Sequence, residues 1–101
     1  MLFNEKVWAL CAKIPRGKVS TYKEIAKALH TRAYRAVGNA LNRNPHGWNA
    51  DRTVPCHRVI NSDGRIGGFA YGTKAKIALL KKEGIKIEKG KINLSRYLFS
   101  Y

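Results

Sequence analysis

Residues 55–58 read Pro-Cys-His-Arg, so Cys56, His57 and Arg58 place a thiol, an imidazole and a guanidinium in consecutive positions within the short apolar run 54–60. Neighbouring cations can hold such a thiol as thiolate, the form that attacks carbon. The plainer alternative is a buried structural cysteine. Cys11, the other of the two cysteines, fits that alternative because it falls on the apolar face of an expected helix. His57 taken alone is equally a packed or surface histidine. Two cysteines are too few for a disulfide framework, so both are expected as reduced thiols. Cys11, His30, His46, Cys56 and His57 include no pair at C-x-x-C or H-x-x-x-H spacing, and no metal site is expected.

The chain that must position this cluster has 101 residues, with 20 Lys plus Arg against 6 Asp plus Glu and a net charge of +14. That length suits a single domain over residues 1–101. A content of 45% hydrophobic and 10% aromatic residues is enough for a core, which argues against disorder as the meaning of the charge. A polyanionic partner explains the charge most simply, and nucleic acid leads the candidates. The N-terminus has no basic segment followed by an apolar run, and no stretch approaches the ~20 apolar residues that span a bilayer. The expectation is an intracellular protein without a membrane partner, cytoplasmic or, in a eukaryote, nuclear.

Four helices and a hairpin are expected to carry the cluster. Phe3, Val7, Leu10, Cys11 and Ile14 recur at helical spacing, with Asn4 as N-cap. Pro15 and Gly17 break that helix. Thr21 to Glu24 has capping-box spacing and opens a second helix that buries Ile25, Ala26 and Leu29. A third, over residues 33–43, carries Ala36, Val37, Ala40 and Leu41 on one face and stops at Asn44-Pro45. Two short helices across a tight turn suggest helix-turn-helix. Residues 46–53 read as loop, Gly67-Gly68 as a sharp bend, and residues 73–83 as a helix that buries Ile77 and Leu80 with Gly84 as its C′ residue. Ile85, Ile87, Ile92 and Leu94 alternate around Lys89-Gly90 as a hairpin. The fold class expected is mainly α, a helix-turn-helix (winged-helix-like) domain with a small β-hairpin.

Residues 27–50 contain four basic and no acidic residues, with Arg35 and Arg43 on or beside the third helix. They could meet phosphates or form a solvated basic face. The small residues Ala33, Ala36, Gly38 and Ala40 permit either close approach to DNA or tight internal packing.

These segments stand in a particular order: Ile14-Pro15-Arg16-Gly17-Lys18-Val19-Ser20-Thr21-Tyr22, Arg35-Ala36-Val37-Gly38, Asn44-Pro45, Pro55-Cys56-His57-Arg58-Val59, Gly67-Gly68-Phe69 and Lys82-Glu83-Gly84. In that order the chain resembles, over nearly its whole length, the DNA-binding active-site domain of the O6-alkylguanine-DNA alkyltransferases. The resemblance implies a monomer whose third helix, with Ala36 and Gly38, lies in the minor groove of DNA containing alkylated guanine. Arg35 would fill the space of a flipped base, Tyr22 would press on the phosphate beside it, and Arg43 and Arg58 would contact DNA. Cys56 would attack the alkyl carbon while His57, oriented by Glu83, takes the thiol proton through a water. Asn44 would hold the turn around Cys56, and Tyr22, Val59, Phe69 and Tyr71 would line the pocket. The reaction implied is a methylated-DNA-protein-cysteine methyltransfer that each molecule performs once, with no cofactor and no metal.

Three departures from the family pattern bear on substrate range: an absent N-terminal domain, a longer loop over residues 45–54, and Phe69 followed by Ala70 and Tyr71 where many members have tyrosine. The alkyltransferase-like group, which binds alkylated DNA and recruits repair factors, is similarly short and has a similar loop. It typically carries tryptophan where this chain has Cys56. A basic helix-turn-helix transcription regulator, in which Cys56, His57 and Glu83 only pack, is the third reading.

Overall fold

A computed structural model describes residues 2–45, 53–69 and 72–101. The first helix, α1 (Phe3–Cys11), turns Val7 and Cys11 inward. Its cap is Leu2 and not Asn4: the Leu2 N–H donates to Glu5 Oε1 at 2.9 Å, so a first-turn carboxylate does the work expected of an asparagine. Nor does α1 reach Ile14, because the residue before a proline is driven out of the helical region. Ile14 is still buried.

Strand β1 (Ser20–Thr21) runs directly into α2 (Tyr22–Ala28), where the Glu24 N–H donates to Thr21 Oγ1 at 3.0 Å. Helix α3 (Tyr34–Asn42) follows a short turn and buries Val37, Ala40 and Leu41 against α1 and α2. Trp8 Nε1 donates to the Ala40 carbonyl at 2.7 Å and fastens α1 to α3. The pair α2 and α3 is the expected helix-turn-helix.

The apolar run 54–60 divides in two. Cys56–Arg58 forms a 3-10 turn, and Val59–Ile60 forms β2, which pairs in parallel with β1 in the register Ser20 to Val59 and Thr21 to Ile60. Parallel pairing of segments so distant in sequence has no local signal. Because side chains alternate along a strand, Val59 joins the core of α1, α2 and α3, while Ile60 joins a second core of Val19, Ile66, Leu80, Ile85, Ile92 and Tyr97. The 3-10 turn therefore hangs at the seam of two cores.

Helix α4 (Thr73–Lys82) ends one residue sooner than expected, with Glu83 as C-cap and Gly84 at φ +88°. The Gly84 N–H donates to the Lys81 carbonyl at 3.0 Å and the Ile85 N–H to Leu80 at 3.1 Å, the Schellman arrangement. That closure fixes where Glu83 points. A hairpin of β3 (Ile87–Glu88) and β4 (Lys91–Ile92) turns through Lys89 and Gly90, both at positive φ as a type I′ turn requires. Leu94, expected to continue the alternation, instead opens α5 (Leu94–Tyr97), whose cap is Asn93 accepting from the Ser95 N–H at 3.0 Å. Of the expected loops, residues 46–52 and Ala70-Tyr71 lie outside the described residues. The architecture is mainly helical with short strands, and among the described residues no helix is long and apolar enough to cross a membrane.

Candidate active site and nucleic-acid face

Cys56 opens the 3-10 turn and is half-buried among α1, α2 and α3 residues. Burial pushes its thiol pKa up. A hydrogen bond from Asn44, the charge of Lys76 and the backbone N–H groups of Cys56 and His57 all act against that rise. Asn44 also donates through Nδ2 to the Val54 carbonyl at 2.9 Å, so one amide ties the end of α3 to the segment leading into the turn. Cys11 lies fully buried in the same core, where burial first and the neighbouring Cys56 second drive its thiol far above the ordinary range.

Behind Cys56 the next two residues converge on one carboxylate. His57 Nε2 lies 2.9 Å from Glu83 Oε2. Arg58 embraces the same group, Nε donating to Oε1 at 2.8 Å and Nη2 to Oε2 at 2.7 Å, while its Nη1 donates to the Ile14 carbonyl at 2.8 Å. Burial would raise the Glu83 pKa, but the hydrogen bonds and charges of His57 and Arg58 prevail and hold it near about 2. Glu83 is thus a fixed anion, and an anion at Nε2 favours the tautomer with its proton there. His57 Nδ1, buried and without a hydrogen-bond partner among the described residues, is then the nitrogen free to accept a proton.

The site has one member that the sequence reading passed over. Lys76, fully buried in α4, donates through Nζ to the Val59 carbonyl at 2.6 Å and to the Gly68 carbonyl at 3.0 Å, and sits 5.9 Å from the centre of the Tyr22 ring. It straps the bend at Gly67-Gly68 to β2. Burial lowers its pKa to about 8 although the neighbouring thiols Cys56 and Cys11 act to raise it. A helical reading centred on Ile77 and Leu80 missed it, and Ile77 is only half-buried. The available signal was that Lys76, Leu80 and Glu83 share one face at i, i+4 and i+7.

The remaining expected residues divide. Tyr22, at the start of α2, packs against the same core as Cys56, and burial first, then the thiols Cys56 and Cys11, raise its hydroxyl pKa. Val59 is buried and Phe69 half-buried, while Tyr71 lies outside the described residues. On α3, Arg35 and the capping Arg43 are exposed, with Ala36 and Gly38 half-buried. A Cβ added at Gly38 would meet nothing within 4 Å, so packing within the described chain does not require glycine there. Arg58, expected to contact DNA, donates from Nε and Nη2 to Glu83 and from Nη1 to the Ile14 carbonyl, and its side chain is 16% exposed. Among the described residues no group of three or more His, Cys, Asp or Glu could hold a metal ion.

Residues 2–85 match the family model for the 6-O-methylguanine DNA methyltransferase DNA-binding domain. The chain belongs to this family. The matched span takes in every site residue from Tyr22 to Glu83. The methylated-DNA-protein-cysteine methyltransferase of Methanosarcina barkeri is 50% identical over 82 residues, which is 80% of this chain and 49% of the relative. That of Saccharolobus solfataricus is 51% identical over 85 residues, 84% of this chain and 52% of the relative. The chain thus spans about half the length of these relatives, and 30% of the bifunctional methyltransferase/endonuclease of Picrophilus torridus. Among solved structures, S. pombe Atl1 in complex with damaged DNA containing O6-carboxymethylguanine superposes with TM-score 0.82 at 35% identity, covering 98% of this chain and 95% of Atl1. Mycobacterium tuberculosis OGT in complex with DNA superposes with TM-score 0.74 at 35% identity, covering 97% of this chain and 53% of the other.

Proposed function

We propose that this chain repairs DNA by taking an alkyl group from O6 of guanine onto Cys56, once per molecule. The observation that carries the reading is the chain of contacts behind Cys56: an imidazole with one nitrogen held by the Glu83 carboxylate at 2.9 Å and the other buried and unpartnered among the described residues. In the reaction the thiol proton passes through a water to His57 Nδ1. The sulfur forms a bond to the alkyl carbon, the carbon–O6 bond breaks, and guanine leaves with the electron pair. The product is a thioether, which no group in the site can reverse. Buried Lys76 offsets the thiolate charge, and Asn44 keeps the turn in place. A soft sulfur nucleophile suits saturated carbon, and the chemistry asks for neither cofactor nor metal.

The chain binds duplex DNA as a monomer, with α3 in the minor groove, Arg35 in the place of the extruded base and Tyr22 against its phosphate. The DNA complexes of Atl1 and of the M. tuberculosis protein support the choice of partner. Extrusion is required because O6 of guanine lies on the major-groove edge of the base, out of reach of a half-buried thiol on a protein docked in the minor groove. The near-complete mutual coverage with Atl1 favours a second reading, an alkyltransferase-like binder without transfer. Cys56 and the groups around it favour the first.

Intact mass after incubation with a duplex containing O6-methylguanine tests the choice. The expected result is stoichiometric gain of one methyl group, mapped to Cys56 and not Cys11, with Cys56→Ala gaining none while retaining lesion binding. Tight lesion binding without a mass gain under reducing conditions would sink transfer in favour of the second reading.

A further inference from the structure

Tyr34 is the first residue of α3, immediately before Arg35, and leaves 45% of its surface exposed. It forms a ridge between two clefts. One, of about 490 Å³, is walled by Tyr22, Lys23, Tyr34 and the turn Asn61, Ser62 and Asp63. The other, of about 380 Å³, is lined by Lys23, Lys27, His30, Thr31, Arg32 and Tyr34. An exposed aromatic ring set among lysines and arginines is the pattern of a nucleic-acid surface, the cations meeting phosphates and the ring a base. Within an intact duplex, however, both faces of each base are already stacked. A ring on a duplex-binding face therefore finds a free base face only where a nucleotide has left the stack.

The first cleft lies on the way to the site, because its other aromatic wall is Tyr22, which packs against the same core as Cys56 and feels the charge of its thiol. We propose that Tyr34 is a specificity-determining residue that stacks on the extruded base in the mouth of this cleft, ahead of the pocket at Cys56. The inference rests on the base-extruding function proposed above. It adds a holding surface between the duplex and the site of reaction, on a residue outside the Cys56 machinery. Stacking on one aromatic ring contributes enough that its loss costs about tenfold.

The test compares Tyr34→Ala and Tyr34→Phe with the unaltered chain in three measurements: single-turnover transfer from a duplex carrying O6-methylguanine, transfer from the free base O6-benzylguanine, and the affinity ratio for damaged over undamaged duplex. Tyr34→Ala is expected to slow duplex transfer and to lower the affinity ratio, each about tenfold. Transfer from the free base, which needs no extrusion, stays unchanged, and Tyr34→Phe behaves as the unaltered chain on all three. Equal loss on duplex and free base would make Tyr34 a structural residue and overturn the proposal, as would an unchanged affinity ratio. If the unaltered chain transfers from neither substrate, the transfer reading fails by itself. The affinity ratio then still decides for or against Tyr34.

Discussion

Lys76 and Arg58 turn inward, whereas Arg35 and Arg43 stand out on α3, and the two pairs obey different physics. Among the described residues every lysine and arginine is exposed except Lys76, which is buried, and Arg58, which is half-buried. The inner cations have lost their water and have protein partners in its place: Lys76 two carbonyls, Arg58 a carboxylate and a carbonyl. An interaction made in the interior is strong, directional and insensitive to salt. The outer cations keep their hydration and act through a field that salt screens. A net charge therefore reports mostly on the outer population, while the positioning of the site depends on two members that the count cannot distinguish.

The sharpest way to break the inner set is Glu83→Gln. The amide cannot balance Arg58, and removing one partner from a buried pair leaves an uncompensated charge, at a cost of about 3 kcal/mol. Melting temperature and denaturant midpoint should both fall. Transfer should slow by about 100-fold where the variant remains folded, since His57 loses the anion that sets its tautomer. An unchanged melting temperature would show that Arg58 is as well solvated as the surface cations, and the contrast would collapse.

Acid probes the same group without mutation. The Glu83 pKa of about 2 lies below its ordinary 4.5, so the carboxylate stabilises the fold above about pH 4.5, and that contribution is lost as pH falls toward 2. A melting curve against pH should decline through that window in the unaltered chain and flatten in Glu83→Gln. Parallel curves would assign the acid sensitivity to other carboxylates.

The contrast also explains which features were legible in the sequence. Helix positions were readable because capping and periodicity are local: Thr21 at the head of α2 and Gly84 beyond α4 stand where their chemistry put them. The parallel pairing of β1 with β2 was not, since it joins residues far apart through backbone alone, and α5 was hidden because Leu94 also fits an alternating strand pattern. In the site, Cys56, His57, Glu83 and Asn44 were found through motif order, and they do converge. Lys76 was missed because a lysine at an inward helical position is normally assigned to solvent. Arg58 was named as a DNA contact through the resemblance, and its hold on Glu83 had no signal in the sequence because the two residues are far apart in the chain.

Among the outer cations, Arg35 and Arg43 should separate in kind. Arg35→Ala should lower affinity for damaged duplex about tenfold and leave undamaged duplex nearly unaffected, because a side chain that fills a vacated base position contributes only when the base is out. Fluorescence anisotropy on matched duplexes with and without O6-methylguanine reads the ratio. Equal losses on the two duplexes would reduce Arg35 to a phosphate contact.

The smallest effect is expected of Arg43→Ala. Arg43 caps α3 and is exposed. If it neutralises one phosphate, its loss should weaken binding a few-fold, equally on damaged and undamaged DNA, and should reduce the slope of log affinity against log salt by about 0.9. The same salt series applied to Lys76→Met should leave the slope unchanged, because a buried ammonium bound to two carbonyls holds no counterion to release. A slope change in Lys76→Met, or none in Arg43→Ala, would remove the distinction between cations that shape the site and cations that hold the duplex. With both slopes as expected, the charge of this chain resolves into two functions by a measurement that depends on neither alkyl transfer nor lesion recognition.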